Sequence, residues 1–157
     1  MLEIDELDRK VVDLLIGDGR LTAAEIARSL GNVTERTVRY RLDRLIRERV
    51  IKIGAIVNPK ALGYNVLADV FLEVESGSID EVAQAMLQHD CVTYIACSIG
   101  ESDISIQIVG KDNADIYAFV RDVLGRTPKI RRTQVSILPI KLKDVYEWRI
   151  PEKAVSE

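Results

Sequence analysis

Apolar positions in the first sixty residues recur at helical intervals. Ile4, Leu7, Val11, Leu14 and Leu15 step by threes and fours, which predicts a helix from about Asp5 to Ile16, closed by Gly17-Asp18-Gly19. Thr22-Ala23-Ala24-Glu25 has the form of a capping box, with Leu21 and Ile26 placed as a hydrophobic staple. The short helix it opens turns Ile26, Ala27 and Leu30 inward and ends at Gly31, a residue suited to the left-handed conformation. After the turn Gly31-Asn32-Val33, Thr34 caps a third helix with Val38, Leu42, Leu45 and Ile46 on its inward face. At about 100° per residue, Arg36, Tyr40, Asp43, Arg44 and Arg47 point the opposite way, with Thr37 and Arg41 on the flank. Val50 to Val57 has the composition of a strand, and Asn58-Pro59-Lys60-Ala61-Leu62-Gly63 that of a linker.

The period then changes. Val66, Ala68, Val70, Leu72 and Val74 alternate with Asp69, Phe71, Glu73 and Glu75, which predicts a half-buried strand. Ile79, Val82, Ala83, Met86 and Leu87 return to helical spacing over about Ser78 to Gln88. Val92 to Ile99 and Asp103 to Gly110 form a hairpin around Gly100-Glu101-Ser102. Asp112 caps a helix with Ile116, Phe119, Val120, Val123 and Leu124 inward, stopped by Gly125 and Pro128. A last strand runs from Ile130 to about Ile140.

The expected fold class is therefore α+β. A helix-turn-helix domain of three helices, of the winged or helix-turn-helix kind, occupies residues 1–50, and a strand and linker follow over 51–65. A ferredoxin-like βαββαβ antiparallel sheet with two helices on one face fills 66–142, and 143–157 is a tail. The uncovered sheet face needs a partner. Phe71, Tyr94 or Ile95, and Val135 or Ser136 would supply its apolar area, so the expectation is a homodimer formed through the sheet. Such a dimer places two reading helices one DNA turn, roughly 34 Å, or a multiple of it apart.

Charge sharpens the picture of the third helix. The chain of 157 residues carries a net charge of −3, which by itself argues against a nucleic-acid partner. Yet residues 34–52 hold seven basic against three acidic side chains, net +4. On the second helix of a helix-turn-helix, arginine forks match guanine O6/N7 or phosphate oxygens, while Tyr40 bonds the backbone and Thr37 meets a phosphate or a thymine methyl. Arg36, Thr37, Tyr40 and Arg41 are the expected groove residues and Arg44 and Arg47 the expected phosphate contacts, and Thr34, the cap ahead of them, completes the expected DNA-binding set. The implied partner is double-stranded DNA.

Other chemistry is thin. No apolar run approaches the roughly 18 residues of a membrane span, and Met1-Leu2-Glu3-Ile4-Asp5 is too polar for a secretory signal, so a soluble cytoplasmic protein without a membrane partner is expected. Cys91 and Cys97 lie six residues apart on one extended segment, too far for a disulfide between them. Cys97 is expected to be a small buried hydrophobe, with His89 capping its helix. A metal or redox sensor built on His89, Asp90, Cys91 and Cys97 is an alternative, although these lack the paired spacing of a metal site, so no metal and no cofactor are expected. No nucleophile–base pairing, phosphate-binding glycine loop or paired carboxylates point to an enzyme. An architectural DNA-binding protein without an effector is a further alternative.

The chain resembles the leucine-responsive regulatory protein/AsnC, or feast/famine, family from about Ile4 to Leu142. The likeness rests on Ile4-Asp5-Glu6-Leu7-Asp8, on Gly19-Arg20-Leu21, and on Thr34-Glu35-Arg36-Thr37-Val38-Arg39-Tyr40-Arg41-Leu42-Asp43-Arg44-Leu45. It continues through Val50-Ile51, Asn58-Pro59, Leu62-Gly63 and Gly100-Glu101-Ser102-Asp103. The resemblance implies a sequence-specific regulator, dimeric and often assembled into tetramers or octamers of dimers, with an amino acid or related metabolite as effector. It implies an effector site between subunits at Gly100, Glu101, Ser102 and Asp103, with Thr133 and Gln134 as weaker candidates to complete it. Carboxylates there accept from an ammonium, while Gly100 N–H and the Ser102 hydroxyl donate to a carboxylate. An ordinary hairpin turn in which Asp103 caps local N–H groups is the other reading of that loop. Three departures stand out. The turn Leu30-Gly31-Asn32-Val33-Thr34 is one residue longer than the family's usual form. Arg49 replaces a glycine, which predicts either a backbone cost of up to about 1 kcal/mol or a different helix end. A tail through Trp148 extends past the usual end, either loose or packed on a neighbouring subunit.

Overall fold

The computed structural model describes residues 3–155 and divides the chain into two compact units. One comprises residues up to Ile56 together with those from Leu142 onward, and the other spans Val57–Lys141.

In the first unit, α1 (Glu6–Gly17), α2 (Ala23–Leu30) and α3 (Glu35–Arg47) enclose a core of Val11, Ile26, Ala27 and Val38, with Leu7, Leu14, Leu15, Leu21, Leu30, Val33 and Leu42 packed around it. Each helix start is fixed by a side chain. Asp5 and Asp8 form a reciprocal capping box on α1, Thr22 and Glu25 form another on α2, and Thr34 Oγ1 accepts the Thr37 N–H at 3.2 Å. Gly31 ends α2 with φ 76°, the left-handed conformation expected of it.

The end of α3 carries a cost. Val50 N–H donates to Leu45 O at 2.9 Å and Arg49 N–H to Ile46 O at 3.0 Å, the bond pair of a Schellman motif. Arg49 sits at its left-handed position with φ 58°. A residue with a Cβ costs about 1–2 kcal/mol there, and glycine gives part of that back through the freedom of its unfolded chain. Arg49→Gly is expected to raise the stability of this unit by about 0.5–1 kcal/mol, a few degrees in the thermal midpoint. An unchanged or lower midpoint would contradict this account of the helix end.

Val50 to Val57 does not form the expected strand. It has no pairing partner among the described residues, and Ile53, Ile56 and Val57 are exposed. Strand composition favours extension but cannot supply the neighbouring ladder that a strand needs. Ile46, expected inward, is exposed at the last turn of α3. In the segment after Lys141, Arg149 Nη1 pairs with Asp13 Oδ1 of α1 at 2.8 Å, while Leu142, Tyr146 and Trp148 are exposed.

The second unit has the expected βαββαβ order: β1 (Val66–Val74), α4 (Ile79–Met86), β2 (Val92–Cys97), β3 (Ile104–Gly110), α5 (Asn113–Asp122) and β4 (Ile130–Ile137). The sheet order is β2-β3-β1-β4, with every neighbouring pair antiparallel. Ala68, Val70, Leu72 and Val74 of β1 and Ile104, Ile106 and Ile108 of β3 meet Val82, Ala83 and Met86 of α4 and Ile116 and Phe119 of α5. The opposite face carries Phe71, Tyr94, Gln107, Gln134 and Ser136 by register. Ile95, opposite Ile106, and Val135, opposite Val70, face the helices, so neither contributes to the open face.

Cys97 ends the edge strand β2 and is exposed, not buried as expected. Cys91 is half-buried, and burial pushes its thiol up. The His89 ring stands edge-on to Phe119, with centroids 5.4 Å apart. Among the described residues, no group of three or more His, Cys, Asp or Glu stands together as a metal site, and no helix is long and apolar enough to cross a membrane.

Candidate nucleic-acid interface and effector loop

The basic residues of α3 divide into two sets. Arg36, Tyr40, Asp43 and Arg47, spaced by four, three and four, form one stripe on its surface and are all exposed, Tyr40 at 64%. Arg39 beside them is bound to Glu35 at 2.5 Å, and Arg47 Nε lies 3.3 Å from Glu48. Thr37 is half-buried, and its hydroxyl is 2.9 Å from that of Thr34, the residue whose side chain caps the helix.

Arg41 and Arg44 go elsewhere. Arg41 Nη1 bonds Asp5 Oδ2 at 2.6 Å and Asp8 Oδ1 at 3.2 Å, and Arg44 Nη2 pairs with Asp8 Oδ2. The two arginine side chains keep only 22% and 20% of their exposure, and Asp8 has none. Arg44 Nε is buried without a hydrogen-bond partner among the described residues. Burial pushes the Asp5 carboxyl up, but the Asp8 N–H and the Arg41 guanidinium outweigh it and hold Asp5 below its ordinary 3.8. Burial likewise opposes the charge on Arg41, and its two aspartates more than restore it. These two arginines therefore hold α3 against α1 at fixed rotation. The signal in the sequence is Asp8 itself, four residues from both Ile4 and Val12, since a carboxylate on a buried helix face needs a cation.

The β2–β3 connection brings Gly100, Glu101, Ser102 and Asp103 together. Glu101 is exposed, Ser102 is half-exposed, and Gly100 has φ 150°. Ser98 N–H donates to Asp103 O at 2.8 Å and Asp103 N–H to Leu72 O at 2.9 Å. Asp103 Oδ2 accepts the Val74 N–H at 2.8 Å, so this carboxylate serves β1 where the β3 ladder has ended. Asp103→Ala would leave that buried donor unpaired, at about 1–3 kcal/mol. Urea unfolding is expected to show a loss in that range for Asp103→Ala and less than half of it for Asp103→Asn, which keeps an acceptor. Equal losses would contradict the assignment.

Thr133 and Gln134 do not share a face. Thr133 lies opposite Leu72 on the helix side, two strands or about 10 Å from Ile104, and Gln134 lies opposite Phe71 on the open side. The groove of about 370 Å³ in this unit, lined by Tyr64, Cys91, Ile108, Ile116, Phe119 and Val123 among others, includes none of the six candidate effector residues.

Two domain families match these two units. The AsnC-type helix-turn-helix domain covers residues 4–46, and the Lrp/AsnC ligand-binding domain covers residues 67–146. The chain belongs to the Lrp/AsnC family. An uncharacterized HTH-type transcriptional regulator of Pyrococcus horikoshii, PH0140, is 34% identical over 87% of each chain. The HTH-type transcriptional regulator FL11 of Pyrococcus abyssi is 32% identical over 95% of this chain and 98% of its own. Among solved structures, Escherichia coli AsnC superposes with a TM-score of 0.83 at 23% identity, covering 92% of this chain and 99% of that one, and so shares the fold. As an Lrp/AsnC member the protein is a DNA-binding transcriptional regulator with a helix-turn-helix and a ligand-binding domain.

Proposed function

We propose that this Lrp/AsnC protein is a cytoplasmic, sequence-specific regulator that binds duplex DNA as a homodimer, with Arg36, Thr37, Tyr40 and Arg47 facing the DNA. The observation that carries this reading is the division of the α3 arginines: Arg36 and Arg47 stand on the exposed stripe, while Arg41 and Arg44 are committed to Asp5 and Asp8. In this reading Arg41 and Arg44 are positioning residues that fix the rotation of α3, and Thr34 caps it. Exposed Phe71 and Tyr94 on the helix-free sheet face support pairing of two copies through that face.

An amino-acid effector bound at Gly100–Asp103 between subunits is the second half of the proposal. A structural neighbour from Neisseria meningitidis, the transcriptional regulator NMB0573, is described as a complex with L-Met; it superposes with a TM-score of 0.81 at 21% identity over 90% of this chain and 93% of that one. The loop stands on an exposed hairpin, so a second subunit would supply the missing walls. The engagement of Asp103 with Val74 favours a second reading, in which the loop is structural and DNA binding needs no effector.

Fluorescence anisotropy on duplex DNA from upstream of the protein's own gene, repeated with each of twenty amino acids, separates the two. One amino acid shifting the isotherm, and losing its effect in Glu101→Ala or Ser102→Ala, supports the effector site. An isotherm indifferent to all twenty supports the second reading, and no binding at all sinks both.

A further inference from the structure

The stripe on α3 contains one acidic side chain. At 100° per residue Asp43 lies within about 20° of Arg36 and about 40° of Arg47, so it is central to the surface that the proposed function turns toward DNA. It is exposed, one turn from Arg39 on one side and Arg47 on the other, the spacing at which a helix surface forms ion pairs. Neither pair is present. Arg39 is bound to Glu35 and Arg47 to Glu48, and Asp43 has no ion pair or hydrogen bond among the described residues. A carboxylate so placed gains nothing from a phosphate, which repels it. It is an acceptor only, and in the major groove the base-edge donors are the N4 amino group of cytosine and the N6 amino group of adenine. Adenine N6 stands beside N7, a second acceptor that opposes a carboxylate, whereas cytosine N4 stands beside a C–H.

We propose that Asp43 is a specificity-determining residue that reads a cytosine through the exposed carboxylate between Arg36 and Arg47, and so demands a C·G pair at one position of each half-site. The inference rests on the DNA-binding reading and deepens it. The cytosine N4 amino group donates and Asp43 accepts, and the neighbouring arginines offset the repulsion between this carboxylate and the phosphates. A guanine at that position would set its O6 and N7 acceptors against the carboxylate, and a thymine its O4. Asp43 therefore acts against wrong sequences as much as for the right one.

Selection of bound duplexes from a library with a randomised core, using the full chain, tests this. The wild-type protein is expected to enrich a motif holding one cytosine per half-site whose preference drops at least about fivefold in Asp43→Ala. In Asp43→Asn that position should turn to adenine, because an amide pairs with adenine N6 and N7, while the other positions and the salt dependence stay as they were. Both variants lie on the surface, and thermal melting checks that they fold as the wild type does. Variants that enrich the wild-type motif unchanged would overturn the inference. So would variants that bind every duplex more tightly with no position altered, for then Asp43 only repels phosphate. Wild-type binding without preference at any position overturns it too, leaving DNA binding intact. A wild-type chain that retains no duplex at low salt overturns the DNA-binding reading and this inference with it.

Discussion

Asp8→Ala is expected to unfold the helix-turn-helix unit at a far lower temperature than wild type. Asp8 is wholly buried, accepts from Arg41 and Arg44, and receives the Asp5 N–H at 3.2 Å. Removing it leaves two guanidiniums with about a fifth of their exposure and no anion at the centre of the network. Breaking a buried pair from one side costs about 3–5 kcal/mol, because the remaining charge stays desolvated. Arg41 keeps Asp5 and both arginines reach some water, which puts the expected cost near 3 kcal/mol. For a small unit that is a large share of its total stability, and about 10 °C or more in midpoint. Helical ellipticity followed against temperature checks it. A midpoint within about 3 °C of wild type would mean that water already carries these charges and that the network does not hold α3 in place.

The paired substitution Arg36→Ala/Arg47→Ala is expected to leave that melting curve in place and to weaken duplex binding about a hundredfold. Both side chains are exposed and away from the core of Val11, Ile26 and Val38, and substitutions at such surface positions change stability by about 0.5 kcal/mol or less. A lost base contact costs about 1–3 kcal/mol, and a lost phosphate contact lowers the salt slope by about one. Arg41→Ala and Arg44→Ala should behave differently, losing DNA affinity only in proportion to the helical structure they lose. Anisotropy isotherms at two salt concentrations, read beside the melting curves, separate the groups. A double variant that binds as wild type would remove the stripe from the interface.

The helices of the first unit and the order of elements in the second were legible because each buries one face at a fixed period, and because Thr22, Thr34 and Asp112 mark helix starts by their own chemistry. What a period cannot carry is a pairing across thirty residues. Arg44 is separated from Asp8 by 36 positions, and at 100° per residue it lies about 80° from Arg36, on the flank that α1 covers. Spacing alone therefore grouped it with the exposed arginines. The same limit applies to Val50–Val57, whose residues favour extension while a partner strand has to come from elsewhere. Arg49 shows the converse: its place in a position suited to glycine gave a local alternative, and φ 58° resolves it toward backbone cost. In the hairpin loop, Gly100 to Asp103 was legible as a unit, but the bond from Val74 N–H to Asp103 joins residues 29 apart and left no mark in the local pattern.

The most direct test of the central claim is an amide chemical-shift map of the full chain as a duplex carrying its binding site is added. The account predicts that the largest changes fall on Thr34 to Arg47 and cluster at Arg36, Tyr40, Asp43 and Arg47, with the amides of β1 and β3 little moved. Changes concentrated on the sheet unit, with α3 unmoved at saturating duplex, would contradict it.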